Sequence, residues 1–143
     1  MRIVNLQLVL VGVATAALCG CNGVLGVDGP GQQPGVISFY SDPVVVEVPD
    51  TVTRGQPFAV SVRTYGGGCV SQGPTDVRVD DLRATITPFD INSGHDVCTA
   101  DLRLFQHEAS ITFDRAGTAT VVFRGTRRPE DQPIAVERTV VVR

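Results

Sequence analysis

Phe58-Ala59-Val60-Ser61-Val62-Arg63 is the stretch on which the fold turns. Phe58, Val60 and Val62 fall on one side of an extended backbone, and Ala59, Ser61 and Arg63 fall on the other. That period of two is what a half-buried antiparallel strand requires. The same phase recurs outward in both directions. Val77 and Val79 precede a turn at Asp80-Asp81, after which Leu82, Ala84 and Ile86 alternate with Arg83, Thr85 and Thr87 as far as Pro88. Ile111 and Phe113 lead to a turn at Asp114-Arg115-Ala116-Gly117, and Ala119, Val121 and Phe123 share one face of the next strand. A polar loop over residues 125–132 then leads to Ile134, Val136, Val140 and Val142. Arg138 shares their phase, which points to a bulge or an edge position there. Towards the N-terminus, residues 36–40 and 44–48 are short β-branched or aromatic runs separated by Ser41-Asp42-Pro43, a turn signal. Residues 89–106 are ambiguous: 90–96 read as loop, and 100–105 fit either a strand or a helical turn.

About seven to nine short strands at near-regular spacing, with Gly, Pro and Asp at the turns, predict an all-β chain and a β-sandwich. The run Phe113-Asp114-Arg115-Ala116-Gly117-Thr118-Ala119-Thr120-Val121-Val122-Phe123 resembles the penultimate hairpin of bacterial immunoglobulin-like domains, where a glycine turn feeds an alternating strand. The resemblance implies an immunoglobulin-like antiparallel architecture. The chain has no Trp, and its internal Cys spacing is shorter than that of the usual intersheet bridge, so the likeness is one of architecture and not of strict membership.

The N-terminus carries a different signal. Arg2 is the only charge before Asp28 and is followed by an apolar run, residues 3–18, bordered by small residues. This is the layout of a secretory signal: positive start, apolar centre, small-residue processing site. The run falls short of the ~20 residues of a permanent membrane-spanning helix, which favours a cleaved signal. It ends in Leu18-Cys19-Gly20-Cys21, which resembles the bacterial lipobox. That resemblance implies cleavage before Cys21 and acylation of Cys21, so that membrane lipid is a partner through the modified residue. Asn22, in place of Asp at the following position, implies sorting to the outer membrane. The expected organisation is a signal peptide over residues 1–20, a lipidated Cys and flexible Gly/Pro/amide tether over 21–35, and a β-sandwich over 36–143. Together with Asp50-Thr51-Val52-Thr53-Arg54-Gly55-Gln56-Pro57-Phe58, Arg63-Thr64-Tyr65-Gly66-Gly67-Gly68-Cys69 and Val97-Cys98, the anchor makes the chain similar to small lipoproteins of bacteria with high-GC genomes. This likeness implies location and fold but no activity.

In an exported chain the two internal cysteines, Cys69 and Cys98, read best as one disulfide. The competing reading is a catalytic or metal-binding thiol. Every one of the twelve basic residues is Arg, and without Arg2 the processed chain holds eleven basic against fifteen acidic residues, a net charge of −4. Such a balance makes a poor nucleic-acid binder. The triple glycine at 66–68 lacks the Lys-Ser/Thr and the helix that a phosphate loop needs, and is better explained by a loop leading into a bridged Cys. Ser61, Ser71, Ser93 and Ser110 lie in no nucleophile motif. The adjacent carboxylates Asp80-Asp81 and Glu130-Asp131 read as solvated turns. His95 and His107, with Asp96, Asp101 or Glu108, offer the one metal-binding alternative, without HxH or HExxH spacing. The expectation is therefore a non-catalytic binding or structural module that needs no cofactor. Its partner would be an envelope protein or a glycan, and its candidate contacts are the loops over residues 66–73 and 125–132, with Arg127 and Arg128 in the second.

Overall fold

The computed structural model describes residues 31–143, and all regular structure in that span is β. The signal stretch, Cys21 and the first part of the expected tether lie outside the described residues. The strands are β1 Gly31–Pro34, β2 Val36–Phe39, β3 Val46–Glu47, β4 Thr51–Val52, β5 Phe58–Gly66, β6 Val70–Asp80, β7 Arg83–Asn92, β8 Arg103–Ile111, β9 Gly117–Arg128 and β10 Gln132–Val142.

Two layers enclose the core. One runs β6-β7-β9-β10, with β4 beside the end of β10, and the other runs β8-β5-β3. β2 joins the layers by pairing with both β9 and β5. The alternations read from sequence supply the facing surfaces: Val60, Val62 and Ile111 from one layer, and Ala84, Ile86, Ala119, Val121, Phe123, Val140 and Val142 from the other, with Ile37 and Phe113 between them.

The all-β sandwich stands, but its pairing is mixed and not the antiparallel arrangement expected of an immunoglobulin-like domain. β7 runs parallel to β9, β2 parallel to β9, and β10 parallel to β4. The cause lies at a fork. The β7–β9 ladder stops at Ile86 and Phe123, beyond which β1 takes up the end of β7 and β2 takes up the end of β9. Gly35 stands between β1 and β2 and is buried. Its amide donates to the Pro88 carbonyl and its own carbonyl accepts from the Thr126 amide. A Cβ there would come within 2.5 Å of Thr64 Cγ2 and 2.9 Å of Asp90 Oδ2, so only glycine fits.

Several element boundaries differ from expectation. Residues 31–34 are not tether: their Gly and Gln content looks coil-like, yet backbone pairing with residues 89–92 asks nothing of the side chains. Pro88 does not end β7, because the partner strand shifts register between Gln72 and Thr75 opposite that region and relieves the demand for a ladder donor. Residues 70–73 belong to β6 and 125–128 to β9, so the two expected contact loops shrink to the turns at 67–69 and 129–131. Residues 103–106 form the start of β8 and not a helical turn. At Arg138 there is no bulge, since the β9–β10 register is unbroken from Gln132 to Val142; the residue lies on a stretch of β10 that has β9 as its single neighbour.

Candidate functional site

The chain enters the sandwich at one end, and that end carries most of its chemistry. Gly31 pairs with Asn92, and the amide of Ser93 donates to the Cys69 carbonyl, so the start of β1, the end of β7 and the β5–β6 turn lie together. The opposite end holds the Asp80–Arg83 hairpin and Phe113, whose carbonyl accepts from the Gly55 amide, while the Arg54 amide donates to the Arg143 carbonyl.

Cys69 and Cys98 are joined as a disulfide, with Cα atoms 5.2 Å apart. It ties the β5–β6 turn to the long connection 93–102. Asp101 adds a second tie: it accepts from the Gly68 amide at 3.0 Å and Arg103 Nε at 2.5 Å, and also from the Thr99 hydroxyl. The Thr99 hydroxyl, the Gly68 amide and Arg103, in that order, lower the Asp101 pKa to about 2. The triple glycine serves this junction. Gly67 and Gly68 have φ of 143° and 58°, and a Cβ on either would run into the backbone of residues 99–101.

Behind the disulfide lies a cavity of about 340 Å³ lined by Gln33, Phe39, Tyr65, Asp90, Leu102 and Arg128, among others. Phe39 and Tyr65 stack with ring centroids 5.2 Å apart, and Tyr40 meets the edge of Phe39. Burial, and then the Asp42 carboxylate beside its hydroxyl, push the Tyr65 pKa up.

Asp90 and His107 are both buried and bonded, Asp90 Oδ1 to His107 Nε2 at 3.1 Å; His107 Nδ1 lies 3.1 Å from Thr75 Oγ1. An ionised carboxylate only accepts, so Nε2 carries a proton, and in a neutral ring Nδ1 then accepts from the Thr75 hydroxyl. The order hydroxyl, imidazole, carboxylate is that of a nucleophile, its base and an orienting acid. Of the three, Asp90 borders the cavity and Thr75 does not. The chain of bonds ties β6, β7 and β8 together across the core. One buried polar side-chain atom among the described residues, Thr64 Oγ1, has no partner.

His95 and His107 are not a pair. His95 is exposed on the 93–102 connection, whereas His107 has both ring nitrogens engaged in the core. No group of three or more potential metal ligands comes together among the described residues. Arg127 and Arg128 do come together, in β9 and not in a loop. They line a groove of about 670 Å³ with Tyr40, Asp42 and Glu130. Arg128 Nη1 donates to Asp131 Oδ2 at 2.8 Å, while Arg127 is exposed.

The Asp90–His107 pair escapes a reading from sequence for a definable reason. Asp90 shares the phase of Ala84 and Ile86, but only if the strand continues through Pro88, and His107 shares that of Phe105, Ala109 and Ile111. The alternation held the signal, and the proline hid half of it. Comparison with known proteins finds no family model, no curated protein and no solved structure that matches the chain.

Proposed function

We propose that the chain is an envelope lipoprotein, acylated at Cys21 and held at the outer membrane, whose sandwich is a non-catalytic binding or structural module. One observation carries this reading: the cavity, the disulfide-pinned connection and the Arg127–Arg128 groove gather at the end where the chain enters, so the features suited to recognition sit on the side nearest the anchor. The groove offers an exposed guanidinium beside an exposed aromatic ring, Tyr40, a pairing suited to an envelope glycan or the acidic face of a neighbouring protein.

Two measurements test it. Mass spectrometry of the protein extracted from membranes should find an N-terminal Cys21 carrying acyl chains, and an unmodified N-terminus elsewhere removes the anchor. A photo-crosslinking side chain at Arg127 should yield an adduct in intact cells that is lost on Tyr40→Ala. Absence of any adduct from that position, with crosslinking demonstrated elsewhere on the protein, removes the groove.

A further inference from the structure

The apolar surface of the domain is lopsided. Of seven large apolar side chains left exposed among the described residues, Tyr40, Ile91, Val97, Leu102 and Leu104 lie at the entry end, with Val97 88 % and Tyr40 64 % exposed. Val79 and Val141, near the opposite end, are 45 % and 40 % exposed. Four of them neighbour the cavity: Leu102 lines it with Phe39, Val97 flanks the adjoining groove beside Cys98, Tyr40 meets the edge of Phe39, and Leu104 stands opposite Tyr65 in the β5–β8 ladder; Ile91 lies on the outer side of β7, against Gly73. The connection that presents Val97 and Leu102 is held by the disulfide and by Asp101, so these side chains are displayed on a fixed support. The Asp101 charge is answered locally by Arg103.

We infer that this rim rests on the bilayer surface, with Val97, Leu102 and Leu104 entering the headgroup region. The inference rests on the anchor proposed above and adds the orientation of the domain upon it. Ten peptide steps separate Cys21 from Gly31, a reach of at most ~35 Å whatever path the chain takes. The twelve-residue β9 alone spans about 40 Å, so the opposite end stands beyond that reach when the entry end lies close. Tethering places the rim at an effective concentration on the order of millimolar beside lipid, enough to populate a contact of a few side chains that would be weak in free solution.

The chain contains no Trp, so single replacements are clean reporters. Val97→Trp, Leu102→Trp and, at the far end, Val141→Trp are prepared in the full-length protein with a polyhistidine segment inserted after Asn22. Each is held on vesicles of phosphatidylcholine and phosphatidylglycerol containing a nickel-chelating lipid. This tether works whether or not Cys21 is acylated, so failure of the anchor, read by mass spectrometry, is separable from failure of the orientation. The expected result is emission shifted to shorter wavelength, with quenching by brominated acyl chains, at positions 97 and 102 but not at 141. Adding Leu104→Asp and Val97→Asp to the Leu102→Trp protein should abolish the shift. Water-like emission with equal iodide quenching at all three positions overturns the inference, as does an equal shift at position 141.

Discussion

His107 shows how much one buried residue holds. Its ring links Asp90 on β7 to Thr75 on β6 from its own place on β8, and its two bonds leave neither ring nitrogen free. Removing it strands the Asp90 carboxylate in the core, whereas removing the half-buried Thr75 hydroxyl forfeits one neutral bond to the buried ring. We therefore expect His107→Ala to cost about 3–5 kcal/mol and Thr75→Val about 1 kcal/mol, measured as urea midpoints at constant m. Asp101 sets an acid limit on the 93–102 connection. Its folded pKa, about 2, is below the unfolded value of 3.8, so its contribution is present above the unfolded value and is lost as pH falls from there through about 2. Amide exchange at Gly68 followed by NMR should rise across that window, and Asp101→Asn should raise it at neutral pH and flatten the profile. From sequence Asp101 is a candidate partner of His95 and His107 in a metal site, on a stretch that fits either a strand or a helical turn. Its role depends on the Gly67–Gly68 approach, which is a long-range contact that no local pattern encodes.

At the scale of elements, the alternating stretches were legible wherever side-chain phase alone decides burial. β5, β7 and β9 each turn towards the core the residues their period assigns. Where backbone pairing replaces side-chain burial, composition misled: Gly31–Pro34 became a strand because β7 offered an edge, and residues 125–128 stayed in β9 because β10 runs in register beside them. Arg127 and Arg128, expected in a loop, lie on a strand. The disulfide was legible from export logic. Cys69→Ser should destabilise by roughly 3.6 kcal/mol on the chain-entropy account of a 29-residue separation, lowering the melting temperature on the order of 10 °C by calorimetry. Gly35→Ala tests the fork. Its Cβ must displace Thr64 or Asp90, and the cost expected of such overpacking is about 1–3 kcal/mol, with accelerated hydrogen exchange at Thr126.

For the whole molecule, sequence made the all-β sandwich plain and left its parallel pairings hidden. Alternation states which face a residue takes and says nothing of which strand lies beside it. β9 is the hub, pairing with β7, β2 and β10, and Phe123 lies fully buried near its middle. Phe123→Ala should cost about 3–5 kcal/mol and loosen both layers at once, seen as loss of a single cooperative melt. The hub also dictates timing. A chain delivered N-terminus first can pair β5 with β8 and β6 with β7, but the other edge of β7 and most of β2 meet no strand neighbour until residues 120–128 arrive. Contacts between segments so distant along the chain place folding in the millisecond-to-second range. Until then the chain holds at most separate strand pairs, and β9 is the seam that joins them into one sandwich.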